Sequence, residues 1–193
     1  MALSLTKGGN INLSKIDSSL KNIVVGLGWD VRESDQEIFD LDASILMVGP
    51  NDKARNEKDL IFYNNKKSLC GAVNHAGDNR TGAGEGDDES IHVFLDKVPD
   101  EIQKLIIFVS IHDADKLKQN FGQVLNAFVR LVNKGTQEEV TRYDLSEEGD
   151  TATYTSMIFG EIYRYQGDWK FKAVGRGIKG GIAEFARMYG LDA

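Results

Sequence analysis

Residues 162–173 read Ile-Tyr-Arg-Tyr-Gln-Gly-Asp-Trp-Lys-Phe-Lys-Ala, and this stretch decides the fold. Side chains of different character alternate in residues 162–165 and again, more regularly, in residues 169–173. Such an alternation with period two is typical of antiparallel strands that bury one face and expose the other to water. The stretch therefore predicts antiparallel strands with one face in a core.

Runs rich in β-branched and aromatic residues recur between turn signals along the rest of the chain. About nine to eleven strands fit this pattern, from runs at residues 23–25, 43–48, 60–63, 91–95, 105–111, 127–132, 140–143, 157–163 and 169–174. Helices are predicted at residues 113–119, with Asp113 as the N-cap, and at residues 181–189. The sequence thus predicts a mostly β protein, a two-layer antiparallel β-sandwich with one or two short helices. No repeat or linker divides the chain, so we expect residues 1–193 to form a single domain.

Composition excludes several classes of protein. No apolar run approaches the roughly 20 residues that cross a bilayer, and the first residues lack a secretory leader, so we expect a cytoplasmic protein without a transmembrane segment. The single cysteine, Cys70, can form neither an internal disulfide nor a thiolate metal site. No basic patch stands out, and we therefore expect no nucleic-acid partner.

The negative charge of the chain is concentrated in two short stretches. The net charge is −7, yet residues 30–42 carry −5 and residues 78–89 carry −4. These stretches account for −9, so the other 168 residues sum to +2. The acidity is therefore a local feature and not a general aid to solubility.

Residues 77–89, GDNRTGAGEGDDE, contain five acidic residues and four glycines. Crowded carboxylates repel one another, and a bound cation would remove that penalty. Oxygen donors without thiolates indicate a hard cation, and glycines that turn the carbonyls of Gly82 or Gly84 inward favour Ca²⁺ over Mg²⁺. An EF-hand is excluded, because Arg80 and Ala83 occupy positions that require a ligand and a glycine.

Further oxygen donors follow two of the predicted strands. Asp30 ends one apolar run, and Asp40 and Asp42 lie two residues apart as another run begins, which places both on one face of a strand. Asn64 and Asn65 end the run 60–63 and offer amide or carbonyl oxygens. Against this stands the plainer interpretation that acidic loops are solvated surface. It applies best to residues 30–37, and Glu33, Asp35 and Glu37 are left out of the predicted site for that reason.

Several separate motifs carry a resemblance to a known family. The loop GDNRTGAGEGDDE, together with GLGWD, FDLDAS, FYNN, IHDA, QNFGQV, GEIYRYQGDWKF and GRGIKGG in this order, resembles the TerD family of bacterial tellurium-resistance and general stress proteins. The resemblance runs from Leu3 to Leu191, nearly the whole chain. It implies a calcium-binding β-sandwich with two Ca²⁺ ions. Transferred position by position, the implied ligands are Asp30, Asp40, Asp42, Asn64, Asn65, Asp78, Asn79, Gly82, Gly84, Asp87, Asp88 and Glu89.

The resemblance also implies a function without covalent chemistry. We expect a calcium-dependent interaction module of the tellurite and toxic-anion resistance type. Its expected partners are calcium ions and other stress or tellurium-resistance proteins, and the inner face of the membrane is one place where they could meet. Two alternatives stay open: a metal-dependent enzyme acting on a phosphate or sugar substrate, and a calcium-dependent lectin-like or lipid-binding domain. Catalysis at His112 beside Asp113 is disfavoured, because no nucleophile motif accompanies the pair.

Overall fold

Two six-stranded sheets form the body of the protein. The computed structural model describes residues 3–30, 39–77, 87–145 and 153–192. In spatial order, sheet A contains β1 (Leu3–Leu5), β10 (Glu139–Asp144), β9 (Leu125–Asn133), β3 (Asn22–Asp30), β7 (Glu89–Phe94) and β6 (Val73–Gly77). Sheet B contains β2 (Asn10–Asn12), β12 (Asp168–Ile178), β11 (Ser156–Tyr165), β8 (Lys104–Ile111), β4 (Leu41–Val48) and β5 (Leu60–Ile61). The predicted two-layer β-sandwich is confirmed.

The core lies between the inner faces of the two sheets. On β3, the side chains of Ile23, Val25, Leu27 and Trp29 are buried in one apolar cluster with the inward residues of β4, β7 and β8. Residues between them, such as Gly26, therefore face outward from sheet A. The same alternation on β4 turns Leu41 and Ala43 inward and Asp42 outward.

A second, smaller cluster covers the outer face of sheet B. Helix α3 (Ile182–Met188) lies there, and the ring of Phe185 stacks on that of Phe108 with a centroid distance of 4.0 Å. The other α-helices of the described chain are two single turns, α1 (Leu13–Ile16) and α2 (Ala114–Leu117). This cover explains why every residue of β4 is buried, although the strand has an outward face.

Residues 3–12 connect the two sheets. Strand β1 pairs in parallel with β10 of sheet A, and β2 pairs antiparallel with β12 of sheet B. All other pairs of described strands are antiparallel. The parallel pair departs from the predicted antiparallel arrangement.

No helix in the described ranges is long and apolar enough to cross a membrane.

Candidate functional site

One end of the sandwich carries the predicted acidic residues, and we call it the acidic end. Strands β3 and β8 end there, and β4 and β7 begin there, as their antiparallel registers require. The two sheets are joined at this end by a hydrogen bond of 2.6 Å from the backbone N–H of Ala43 to Oε2 of Glu89. Strand direction therefore brings the described acidic residues to one edge of the molecule: Asp30, Asp40, Asp42, Asp87, Asp88 and Glu89.

Three carboxylates belong to neighbouring strand ends of sheet A, and we call Asp30, Asp87 and Asp88 the sheet A group. Oδ2 of Asp88 accepts a hydrogen bond of 3.0 Å from the backbone N–H of Trp29, and the N–H of Asp88 donates to the carbonyl of Leu27 at 2.8 Å. Asp88 is thereby held between β3 and β7. Its partial burial raises its pKa, and the negative charges of Asp87 and Asp30 raise it further, while the Trp29 hydrogen bond opposes the shift. The negative charges of Asp87 and Asp30 therefore both act against the ionised form of Asp88.

Within this group, Asp87 and Asp30 also have partners of their own. Oδ1 of Asp87 accepts a hydrogen bond of 2.7 Å from Nε of Arg130 on β9, whose Nη1 lies 3.2 Å from Oε2 of Glu139. Oδ2 of Asp30 accepts a hydrogen bond of 2.6 Å from the side-chain amide of Asn126. The group thus combines carboxylates with an arginine that neutralises part of their charge.

Asp40 and Asp42 form a second group with His112, and we call these three residues the sheet B group. Oδ2 of Asp42 lies 3.3 Å from Nδ1 of His112, and the backbone N–H of His112 donates to the carbonyl of Asp40 at 2.8 Å. Asp42 faces outward from sheet B, whereas Asp87 lies against the outer face of sheet A. Because packed sheets are about 10 Å apart, Asp42 and Asp87 do not share one ion in this arrangement.

Glu89 takes a different position from the other predicted ligands. It points into the sandwich and is only 2% exposed, with its Oε2 bonded to the Ala43 N–H and 3.9 Å from Nε2 of His75. The His75 side chain is also buried. The carboxyl group of Glu89 therefore joins the sheets from the inside.

The asparagine pair follows β5 in a tight turn. The Asn65 side-chain amide donates to the carbonyl of Leu60 at 2.6 Å, and Asn64 is exposed. The turn approaches the sheet B group through Tyr63, whose ring lies edge-on to that of His112 at 6.2 Å. The amide nitrogen of Asn65 is thus directed at its own turn.

The remaining predicted ligands, Asp78, Asn79, Gly82 and Gly84, lie outside the described residues. Within the described ranges, no three His, Cys, Asp or Glu side chains come together closely enough to hold a metal ion. The donor chemistry of the sheet A group nevertheless fits a hard cation, because all of its side-chain donors are carboxylate oxygens. Further donors would have to come from other parts of the chain, and residues 78–86 are the predicted source.

Asp113 occupies the predicted N-cap position of α2, but it does not cap the helix through its side chain. Asp113 has φ of 51° in the left-handed region, and its side chain makes no capping hydrogen bond. It instead accepts a hydrogen bond of 3.3 Å from Nζ of Lys116. The carboxylate next to His112 in space is Asp42, from a strand 70 residues away in sequence.

Sequence reasoning also missed Arg130 and the buried contact of His75 with Glu89. Arg130 lies between Val129 and Leu131 in a predicted strand. The alternation of side chains along that strand predicts that Arg130 faces outward when its neighbours are buried. The burial of His75 could not be predicted, because strand β6, which turns its side chain inward, was not predicted.

Fold and site together define a class: a β-sandwich with carboxylates gathered at one end from both sheets. The chain belongs to the TerD family, since the model of the TerD domain matches residues 1–189. It is 55% identical over 193 residues to the tellurium resistance protein TerD of Serratia marcescens, with 100% of both chains covered. It is 49% identical over 193 residues to general stress protein 16U of Bacillus subtilis (strain 168), which covers 100% of this chain and 99% of that protein.

A solved structure shares the fold. The crystal structure of a homologue of telluride resistance protein (TerD) from Streptomyces coelicolor A3(2) superposes with a TM-score of 0.70 at 26% identity, covering 87% of this chain and 96% of that one. The family is thus one of tellurium-resistance and general stress proteins, and the names of these relatives describe no enzymatic activity.

Proposed function

We propose that this protein is a non-enzymatic, calcium-binding stress-response protein that protects against tellurite and related toxic anions. The observation that carries the proposal is the sheet A group, in which Asp30, Asp87 and Asp88 lie at adjacent strand ends and the charges of Asp30 and Asp87 repel that of Asp88. A bound Ca²⁺ would remove this repulsion and accept the oxygen donors that the group provides. Asp88 would keep its orientation through the Trp29 N–H.

A second ion belongs to the sheet B group in this proposal. Asp40 and Asp42 supply carboxylates on the other sheet, and the outward direction of Asp42 keeps the two ions apart. Loading both groups would neutralise the acidic end and turn it into a surface for partner proteins. The names of the relatives support other tellurium-resistance and stress proteins as the partners.

Calorimetric titration of chelator-treated protein with Ca²⁺ and with Mg²⁺ tests the proposal. We expect binding of about two Ca²⁺ ions, a weak response to Mg²⁺, and loss of the sheet A ion in an Asp87→Asn, Asp88→Asn double variant. The matched control is Asp96→Asn, Asp100→Asn, which removes the same charge from exposed positions at the opposite end. At a hundredfold excess over Kd, one ion should stabilise the fold by about 2.7 kcal/mol. Absence of binding heat and of a thermal shift would refute calcium binding.

Tryptophan fluorescence gives an independent readout of the sheet A ion. Trp29 is buried and its backbone is bonded to Asp88, whereas Trp169 lies at the opposite end against Arg164. In a Trp169→Phe variant we expect Ca²⁺ to change the Trp29 emission, and the Asp87→Asn, Asp88→Asn substitutions to abolish the change. An emission unaffected by Ca²⁺ would place the bound ion away from this group.

The contact between Asp42 and His112 favours one second candidate, a metal-dependent hydrolase. A half-exposed imidazole oriented by a buried carboxylate is an arrangement that can act as a general base. Turnover of a phosphate monoester with Ca²⁺ or Mg²⁺ present, lost in His112→Gln and retained in the control Lys116→Gln, would establish this function. We expect no turnover.

A further inference from the structure

The Asp87 carboxylate already has a cation bound to it, the guanidinium of Arg130. Nε of Arg130 donates to Oδ1 of Asp87 at 2.7 Å, and both side chains are largely buried, with 28% and 15% of their surface exposed. A hydrogen bond between two ionised groups at this distance is strong compared with neutral ones. The pair is therefore a defined feature of the outer face of sheet A.

The strand register positions this pair. Gly26 on β3 lies directly opposite Arg130 on β9, and a Cβ added to Gly26 would overlap the Asp87 carboxyl group. The missing side chain at residue 26 therefore leaves the space in which Asp87 meets the arginine. Asp87 therefore lies on the outer face of sheet A, where a metal ion could bind it, and Arg130 reaches Asp87 on that same face.

A metal ion and a guanidinium compete for the same carboxylate. Ca²⁺ requires oxygen ligands at 2.3–2.6 Å and would bring two positive charges next to that of Arg130. We propose that Arg130 is an internal counter-cation that occupies Asp87 when the acidic end is empty and is displaced as the ion binds. The inference rests on the proposed function, because it assumes that the sheet A group takes a cation.

Displacement has a consequence for the outer face of sheet A. Arg130 keeps its contact with Glu139, and its cross-strand neighbour is Arg142 on β10. Arg142 is itself held over the ring of Phe128 at 3.6 Å and bonded to Asp144. Ion binding would thus leave two neighbouring guanidinium groups, one of them released from Asp87, on the outer face of sheet A.

The inference is tested by whether substitution of Arg130 raises or lowers the affinity for Ca²⁺. If Arg130 competes with the ion, Arg130→Gln should bind Ca²⁺ more tightly than the wild type, by about two- to fivefold, the range that a partly exposed ion pair can supply. If Arg130 instead orients Asp87 as a ligand, the same substitution should weaken binding. The matched control is Arg142→Gln, which removes the same charge from the adjacent strand and corrects for the general effect of net charge.

Calorimetric titration of the wild type and both variants decides between these results. Arg130→Lys, which keeps the charge without the guanidinium, serves as a second variant in case Arg130→Gln unfolds, and it should also bind more tightly than the wild type. A further readout is the NMR signal of the Arg130 Nε–H, which should shift on addition of Ca²⁺ while that of Arg142 shifts less. Affinity in Arg130→Gln that does not exceed that of Arg142→Gln overturns the inference and leaves the proposed function intact. A wild type that binds no Ca²⁺ overturns both.

Discussion

The carboxyl group of Glu89 on sheet A accepts a hydrogen bond of 2.6 Å from the backbone N–H of Ala43 on sheet B. Strand β5 pairs with β4 only at Ile45 and Leu46, so this N–H at the strand edge is satisfied by a side chain from the other sheet. A buried backbone donor without a partner would cost free energy comparable to a lost hydrogen bond. Glu89 therefore fixes the distance between the two sheets where the carboxylates gather.

Substitution of Glu89 should destabilise the protein, and the loss should be larger when the new side chain cannot accept the hydrogen bond from the Ala43 N–H. Glu89→Ala leaves the Ala43 N–H buried without a partner, which we expect to lower the free energy of unfolding by about 1–3 kcal/mol, with a further loss from the cavity. Glu89→Gln keeps an acceptor of the same size and should recover much of this stability. Urea unfolding in chelator measures both, and equal losses in the two variants would contradict the role of the hydrogen bond.

Gly26→Ala should disturb the pair of Asp87 and Arg130. The new methyl group would overlap the Asp87 carboxyl group, and relief of such overlap typically costs about 1–3 kcal/mol. Gly181→Ala is the control, since a Cβ there meets no atom within 4 Å, and its effect should stay within about 0.5 kcal/mol. Thermal or urea unfolding provides the comparison. Equal effects at the two glycines would show that Asp87 is not fixed in this position.

Acid should weaken the fold through His92. Burial lowers the pKa of His92 below 6.5, and the nearby charge of Lys134, whose Nζ lies 2.9 Å from Nδ1, lowers it further. Below pH 6.5 the unfolded chain therefore binds a proton that the folded protein does not, so stability present above this pH is lost as the pH falls. His92→Gln should lose less stability than the wild type between pH about 7.5 and about 5.5.

Lys134→Gln provides a second measurement for the same effect. Removing the positive charge takes away one cause of the lowered pKa of His92. The acid-induced loss of stability, measured by urea unfolding across this pH range, should then shrink towards that of His92→Gln. Parallel pH profiles in the wild type and both variants would exclude His92 as a contributor.

Helix α3 should contribute strongly to stability through one ring. Phe185 is fully buried and stacks on Phe108 of sheet B, and truncation of such a residue in Phe185→Ala typically costs about 3–5 kcal/mol. Glu184→Ala, on the exposed side of the same helix, removes a contact with Arg187 and should cost no more than about 0.5 kcal/mol. Urea midpoints compare the two variants. A small effect of Phe185→Ala would mean that the helix is only loosely attached.

The sequence predicted the sandwich well where the side-chain pattern is strong. The run 127–132 lies within β9 (Leu125–Asn133), and the predicted terminal helix contains α3 (Ile182–Met188). Strand β6 (Val73–Gly77) was missed, because it has one β-branched residue and becomes a strand through its pairing with β7. Local propensity carries no information about such a partner.

The acidic end was predictable in location but not in detail. Alternating strand directions bring Asp30, Asp42 and Asp88 to one end, and that follows from the order of the runs. Which carboxylate meets Arg130 or which joins the sheets depends on registers between strands far apart in sequence, as the separation of 43 residues between Asp87 and Arg130 shows. A single sequence does not specify those registers.

The pairing of β1 with β10 and of β2 with β12 sets the order in which this molecule can be completed. Residues 3–12 are synthesised before their partner strands, which lie beyond residue 138, so β1 and β2 cannot pair until those later strands have been made. Such long-range pairing slows folding, because the entropy of closing the chain is lost before the contacts form. Until β10 and β12 leave the ribosome, β1 and β2 have none of their native partner strands.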